Sequence, residues 1–162
     1  MLGRILLTLS ALAQGITPFI ADFNHTHIYN PRWPPHAKFH NGQTLSMGAG
    51  LCLITLYYTW RFPAISNSKS NSNPKLGIEK KQQAPESSEM MATRKMTRDS
   101  MITAAIAGTL YWVAGLSAIL YPGSKAIDPE FGDGFPQAII YPIFAVMAIL
   151  GAWVEVKGLE RV

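Results

Sequence analysis

Four segments of the chain are almost free of charged residues and are long enough to cross a bilayer. They cover residues 5–23, 44–60, 101–121 and 137–154. A helix of about 20 residues crosses a hydrocarbon core that is roughly 30 Å thick. In the third segment, Ala104 with Gly108 and Ala114 with Ala118 repeat at a four-residue spacing that lets helix backbones approach closely in lipid. The pattern predicts an all-α polytopic membrane protein, a four-transmembrane-helix bundle in a single membrane domain, residues 1–162.

The segment between the second and third predicted spans, residues 62–98, is rich in Ser, Asn, Gln, Lys and Pro and is typical of a flexible, disordered linker. It is also the most cationic loop, with positive charges at Lys69, Lys75, Lys80, Lys81, Arg94, Lys95 and Arg98. Cationic loops tend to stay in the cytosol. We therefore expect a cytosolic linker, two cytosolic termini and an integral membrane location, with the endoplasmic reticulum as the expected membrane.

The first apolar segment has an alternative interpretation. Arg4, the apolar run that follows it and the triplet Ala11-Leu12-Ala13 resemble a secretory signal with a cleavage site. We favour a retained helix because the apolar character continues beyond that triplet to Phe23.

Composition disfavours several other kinds of function. The net charge of +4 lies mainly in the linker, and no base-stacking or phosphate-cradling motif occurs, so nucleic acid is not an expected partner. The only cysteine, Cys52, excludes an intrachain disulfide and a zinc site built from paired thiolates. Little buried charge and no obvious repeat argue against a transporter. Small residues on the third and fourth spans would also permit a homodimer.

Two loops with complementary chemistry are predicted to emerge on the non-cytosolic side. The first loop, about residues 24–43, carries every histidine of the chain: His25, His27, His36 and His40. The third loop, about residues 122–136, carries carboxylates at Asp128, Glu130 and Asp133. A further carboxylate, Asp22, lies at the end of the first span. The topology thus predicts that imidazoles and carboxylates collect at one edge of the membrane.

The histidines form two pairs, His25 with His27 and His36 with His40. The first pair would share a face if its backbone is extended. A helical turn that begins near Pro34 and ends at Gly42 would place the second pair on one side. The four side chains could then catalyse acid/base chemistry or, as an alternative, bind iron, zinc or copper. A third interpretation is an interfacial loop whose polar groups contact backbone and lipid headgroups.

Acid/base chemistry is the favoured interpretation of these residues, with Asp22 as the acid and His27, His36 and His40 as base or orienting groups. A carboxylate near the hydrocarbon is costly and is usually paired or functional. On this interpretation no cofactor is needed.

Candidate substrate-binding residues lie inside the predicted spans. Gln14 could line a pocket or contact another helix, and the aromatic residues Tyr111, Trp112 and Tyr141 would suit an apolar ligand. Asn24 begins an N-glycosylation pattern, but we expect it to stay bare because it lies almost at the membrane surface.

The motif in the first third of the chain carries a family resemblance. It comprises Thr17-Pro18 through Asp22, Thr26-His27, Asn30-Pro31, Trp33-Pro34-Pro35-His36-Ala37 and Phe39-His40. This motif resembles an uncharacterised family of small four-span membrane proteins of fungi and bacteria, whose genes often accompany fungal secondary-metabolite genes. The resemblance implies a role in tailoring a lipophilic intermediate, and the family supplies no established catalytic residues.

The sequence therefore predicts a membrane enzyme of secondary-metabolite biosynthesis that acts on a lipophilic polyketide or terpenoid. Expected reactions are epoxide hydrolysis, cyclisation or isomerisation, which are those of a hydrolase, cyclase or isomerase. One alternative is a metal-dependent oxygenase that uses the same histidines. Another is a non-enzymatic protein that binds lipid or sterol, or a membrane partner.

Overall fold

The computed structural model describes residues 1–63 and 88–161, and within them the chain is helical, with no strand. The helices are α1 (Leu2–Asp22), α2 (Pro35–Trp60), α3 (Ser88–Ser117) and α4 (Gln137–Glu160), and a 3-10 turn (Ala118–Leu120) continues α3. The first loop is residues 23–34, and the third loop is residues 121–136. The predicted all-α class is confirmed. Residues 64–87, most of the predicted linker, lie outside the described residues.

The four helices form a bundle in which each helix runs antiparallel to the next. α1 packs against α2 and α4, and α3 packs against the same two helices. At one end, which we call the terminal end, Arg4 donates to the carbonyl oxygen of Phe62 at 2.6 Å and lies 3.5 Å from Glu155. Arg61 donates to Ser100 Oγ at 2.6 Å at the same end. The first and third loops lie together at the opposite end, the loop end.

Large apolar side chains cover the outside of the bundle. Exposed examples are Ile5, Leu9, Leu12 and Ile16 on α1, Ile102, Ile106, Leu110 and Val113 on α3, and Ile139, Ile143, Val146 and Leu150 on α4. Such a surface is typical of a protein whose solvent is lipid. Three helices are long and apolar enough to cross a membrane, namely α1, α3 with its 3-10 continuation, and α4. The protein is therefore compatible with an integral membrane location, and α2 is not among these three.

Small residues at the helix interfaces allow close contacts between the helix backbones. A Cβ atom on Gly151 would lie only 2.6 Å from the carbonyl oxygen of Gly3, so the backbones of α1 and α4 touch. One on Gly108 would lie 3.2 Å from Cβ of Ala148, which brings α3 against α4. Ala104 is fully buried in the same core. In lipid, dispersion at such contacts replaces the hydrophobic effect as the force that holds helices together.

α2 begins well before the predicted span. It starts at Pro35 instead of residue 44, and Gly42, predicted to end a turn, lies inside the helix. Proline suits the first turn because its fixed φ is helical and its missing N–H would have no partner there. The polar residues that follow are compatible with helix, but hydropathy detects only apolar stretches.

α3 also begins before its predicted span, at Ser88. The part of the predicted flexible linker from residue 88 to residue 98 is helical, so the prediction was wrong there. This stretch is rich in Met, Arg and Lys, which are strong helix formers. Its charged residues lower the local hydropathy, so the hydropathy pattern did not predict a helix here.

Candidate functional site

The carboxylate of Asp22, the last residue of α1, is held at the loop end by α2 and the first loop. Asn41 Nδ2 donates to Asp22 Oδ2 at 3.0 Å. His27 Nε2 lies 3.8 Å from Asp22 Oδ1. The early start of α2 is what places Asn41 beside the carboxylate, since Asn41 precedes the predicted span. Asp22 and His27, two of the predicted catalytic residues, are thus brought together.

A short chain of polar atoms continues from His27 into the first loop. Thr26 Oγ1 lies 2.6 Å from His27 Nδ1 and 2.6 Å from Asn24 Oδ1. If the hydroxyl donates to Nδ1, a neutral ring carries its proton on Nε2, which faces Asp22. If the hydroxyl donates to Asn24 instead, Nδ1 is the donor and Nε2 can accept a proton from Asp22. The arrangement therefore permits a proton on either side of the Asp22–His27 pair.

Contacts between the first and third loops close the loop end. Asn30 is fully buried, and its Nδ2 donates to Glu130 Oε1 at 3.0 Å. Trp33 Nε1 donates to Asp128 Oδ2 at 3.1 Å, and Arg32 forms an ion pair with Glu130. Two of the three carboxylates of the third loop, Asp128 and Glu130, therefore contact an amide, an indole and a guanidinium instead of the histidines.

A cavity of about 490 Å³ lies between α2, α3 and α4 beside Asp22. Its lining comprises Asp22, Gln43, Thr44, Met47, Leu51, Leu110, Tyr111, Ala114, Gly115, Ala118, Ile119, Ser124, Lys125, Ala126, Phe135, Gln137 and Tyr141. This volume falls within the roughly 300–1,000 Å³ that small-molecule sites occupy. Most of the walls are apolar, and the polar groups cluster near the loop end. The cavity is the best-formed candidate site in the part of the chain that the structure describes.

Two of the four predicted substrate-binding residues line this cavity. They are Tyr111 and Tyr141, whose ring centroids lie 6.3 Å apart and whose hydroxyl groups make no hydrogen bond to a described residue. Trp112 is fully buried elsewhere, where Nε1 donates to Ser10 Oγ at 3.2 Å. Gln14 is also buried and donates to Thr55 Oγ1 at 3.2 Å, between α1 and α2. Trp112 and Gln14 therefore stabilise helix packing and lie outside the lining.

None of the four histidines lines the cavity, and His27 alone lies beside Asp22. The first loop is folded into turns, so the predicted extended pair is wrong, and the His25 ring packs against Phe131 with centroids 6.1 Å apart. His36 and His40 share one side of α2, as predicted, with their Nε2 atoms 3.0 Å apart and both rings exposed. The structure does not bring these two to Asp22. Nor does it gather the four histidines, and within residues 1–63 and 88–161 no group of three or more His, Cys, Asp or Glu side chains is placed to bind one metal ion.

The Asn24 side chain is already engaged by its neighbours. Its Nδ2 donates to the carbonyl oxygen of Ala21 at 2.7 Å, and its Oδ1 accepts from the backbone N–H of Thr26 at 2.8 Å. These bonds finish α1 and start the first loop. They agree with the expectation that Asn24 stays unglycosylated, which stays a prediction.

Sequence reasoning missed Asn41, Gln137 and Lys125. One signal could have found Asn41: once α2 is extended back to Pro35, Asn41 falls on the same helical face as the buried residues Leu45 and Gly48. No comparable signal marks Gln137 and Lys125, because their place in the lining depends on how the third loop folds.

The fold and the cavity define a class of protein, a helical bundle with an apolar outside and an internal cavity that ends in a carboxylate. A family model described as a family of unknown function (DUF6640) matches residues 6–80 and 80–161. The chain belongs to this family, in agreement with the resemblance to an uncharacterised family. No curated protein and no solved structure matches the chain.

Proposed function

We propose that the protein is a membrane-embedded enzyme that binds a lipophilic molecule in the cavity and transforms it by acid/base chemistry. One observation carries the proposal: the Asp22 carboxylate lines the cavity and lies 3.8 Å from His27 Nε2. A carboxyl group that faces an apolar cavity and has an imidazole behind it can both release and recover a proton.

The proposal includes α2 as a fourth span. Its outer face carries large apolar and aromatic residues, among them Leu53, Ile54 and Tyr57. Two of the polar residues that lower its hydropathy face inward: Thr55 and Thr59 are fully buried and donate to carbonyl oxygens one turn earlier. Because these hydroxyl groups are satisfied inside the helix, they add little cost to insertion. The proposed topology therefore has four spans, and the positive-inside rule favours a cytosolic location for the cationic terminal end.

The chemistry assigned to the site is a proton-triggered rearrangement. The carboxylic acid of Asp22 donates its proton to an epoxide oxygen or an alkene carbon of the bound molecule. Protonation breaks one carbon–oxygen bond of the epoxide, or the π bond of the alkene, and leaves an electron-deficient carbon. A hydroxyl group or alkene of the same substrate, or a water molecule, then forms a bond to that carbon, or in an isomerisation an adjacent carbon loses a proton to form a new double bond. The proton lost by the nucleophile or by the adjacent carbon returns to the Asp22 carboxylate. His27 exchanges that proton with water at the loop end. No electrons are gained or lost, so the step needs no redox partner.

We assign this reaction to the tailoring of a polyketide or terpenoid, in the endoplasmic reticulum of a fungal host. Two points support the assignment. The cavity walls are apolar, as such molecules require, and the motif of the first loop resembles that of proteins encoded beside fungal secondary-metabolite genes.

The test is deletion of the gene in its source organism and complementation with wild type, Asp22→Asn or His27→Ala. Extracts are compared by mass spectrometry, and the amount of each variant in the membrane fraction is measured. Asp22→Asn should accumulate one defined precursor and reduce product formation by about 10²–10⁴-fold, the usual contribution of a general acid. His27→Ala should reduce product formation less strongly.

Asp99→Asn is the matched control, because it makes the same chemical change in an exposed residue of α3 near the terminal end. It should restore product formation fully. Full restoration by Asp22→Asn would overturn the acid/base proposal. A fall of several unrelated products together, with no precursor accumulating, would favour a lipid-binding or partner protein instead.

A further inference from the structure

Starting from the proposed function, we infer that the cavity selects an apolar molecule that carries a hydroxyl group, and that this molecule enters sideways from the lipid between α2 and α3. The inference names a ligand class and a route, and it rests on the proposed function for the assignment of the cavity as a substrate site.

One buried acceptor in the wall of the cavity has no donor. Gln137 Nε2 donates to the carbonyl oxygen of Ala126 at 3.0 Å, and that carbonyl can only accept, so Oε1 is the amide atom left over. Gln137 Oε1 is buried and has no hydrogen-bond partner within the described part of the chain. A buried acceptor without a donor is unfavourable, because it has lost its hydrogen bonds to water and gained none in return. The Asp22 carboxylate is a second acceptor in the same lining.

A ligand that carries a hydroxyl group would supply the missing donor. A ketone or an ether of the same shape would offer only acceptors and would leave Gln137 Oε1 unpaired. Lys125 also lines the cavity, but it is exposed and can be hydrated. It does not donate to the buried Gln137 Oε1. The tyrosine hydroxyls can donate or accept, and so they fit either ligand.

The outer wall of the cavity is apolar and reaches the surface of the bundle. Met47 on α2 and Leu110 on α3 each line the cavity and are about half exposed, at 50% and 51%. Ala114 and Ala118 of α3, which the sequence predicted as a packing pair, also line the cavity and are exposed. Their small side chains leave the groove between α2 and α3 open. Because the surrounding surface is apolar, this opening faces hydrocarbon when the protein is in a bilayer.

The polar and apolar parts of the opening are arranged along one axis. Gln43, Thr44 and Ser124 lie toward the loop end, while Leu51 and Leu110 lie deeper. Consider a molecule in the bilayer leaflet nearest the loop end, with its hydroxyl group at the headgroups. It would enter the cavity without reversing its orientation. The hydroxyl would meet Gln137 and Asp22, and the apolar body would meet the walls.

The test uses two photoreactive probes of nearly equal shape, 4-(hydroxymethyl)benzophenone and 4-(methoxymethyl)benzophenone. The full chain is reconstituted in phosphatidylcholine nanodiscs and irradiated with each probe, and labelled residues are mapped by mass spectrometry. The alcohol should label the cavity, with Met47 a favourable target, about tenfold more than the ether does. Gln137→Met, which lacks the acceptor, should lower labelling by the alcohol toward the level of the ether.

The route is tested with Ala114→Trp, which fills the groove, and Ile106→Trp, which places the same ring on the lipid face of α3 away from the lining. Ala114→Trp should slow labelling by roughly tenfold, and Ile106→Trp should leave it unchanged. Ala118→Trp serves as a second blocking variant if Ala114→Trp does not accumulate in membranes. Equal labelling by both probes would overturn the hydroxyl selection, and fast labelling of a blocked variant would overturn the lateral route.

The two proposals fail separately. Photolabelling reports binding without turnover, so the expected labelling together with full complementation by Asp22→Asn would keep the ligand class and overturn the enzyme. Loss of product in Asp22→Asn with equal labelling by both probes would keep the enzyme and overturn the ligand class.

Discussion

The Asn41 amide orients the Asp22 carboxylate relative to the cavity, together with the His27 imidazole. Asn41 Nδ2 donates to that carboxylate at 3.0 Å, and the other amide atom, Asn41 Oδ1, is buried with no partner among the described residues. The Asn41 amide therefore positions the carboxylate, although its own buried, unpaired oxygen lowers the stability of the fold. This pattern is typical of a residue retained for positioning more than for stability.

Replacing Asn41 tests that role. Asn41→Leu removes the donor and also the unpaired acceptor, so the free energy of unfolding should change by no more than about 1 kcal/mol. Product formation in the complementation assay should fall by about tenfold, since the carboxylate loses its orientation. Thermal unfolding in detergent is measured beside it. Ser46→Ala, an exposed change on the same helix, is the control. A large loss of stability with normal product formation would contradict the positioning role.

At the residue level, the sequence predicted those lining residues whose side-chain chemistry is unusual for a membrane span. Asp22 was found because a carboxylate near hydrocarbon is costly, and Tyr111 and Tyr141 because aromatic rings suit an apolar ligand. Trp112 carries the same signal as its neighbour Tyr111, but it points into the core one position further along the helix. Which of two adjacent residues faces a cavity depends on the rotation of the helix, and hydropathy does not fix that rotation.

At the level of the helices, the apolar segments were located correctly but their polar ends were not. Hydropathy records where a helix is inside lipid, whereas α2 and α3 continue beyond it as Pro35–Trp60 and Ser88–Ser117. The polar first turns of α2 carry the donor that holds Asp22. The part of the fold that positions the candidate site was therefore the part that hydropathy could not detect.

The polar inner face of α2 makes a specific contact with α1. Gln14 Nε2 donates to Thr55 Oγ1 at 3.2 Å, and both residues are fully buried. Hydrogen bonds between membrane helices contribute on average about 0.6 kcal/mol. Thr55→Val should destabilise the protein by more than this value, because it also leaves the Gln14 amide without that acceptor.

A double-mutant cycle checks the contact. Gln14→Leu with Thr55→Val should cost less than the two single changes added together, since neither partner is then left unpaired. The midpoint of thermal unfolding is measured for all four proteins in the same detergent. Strict additivity would show that the contact does not couple α1 to α2.

On the scale of the whole molecule, loop contacts link the site to the topology. Asn30 in the first loop donates to Glu130 in the third loop, so residues on both sides of α2 and α3 meet at one end of the bundle. This contact requires an even number of crossings between the two loops. On the proposed topology α3 crosses the membrane, and we therefore predict that α2 crosses as well, although α2 is not among the three helices that are long and apolar enough to do so.

Cysteine accessibility tests this requirement. In a Cys52→Ala background, single cysteines replace Pro31 in the first loop, Asp133 in the third loop and Thr93 near the start of α3, all of which are exposed positions. Sealed microsomes are treated with a membrane-impermeant maleimide before and after permeabilisation. Pro31→Cys and Asp133→Cys should react only after permeabilisation, and Thr93→Cys should react before it, because the proposed topology places the cationic terminal end in the cytosol. If α2 lay along the membrane surface instead of crossing it, Pro31→Cys and Thr93→Cys would react together and Asp133→Cys would react from the other side. That pattern would place the two loops on opposite sides of the membrane. The loop end of the cavity, on which the proposed chemistry depends, could then not form.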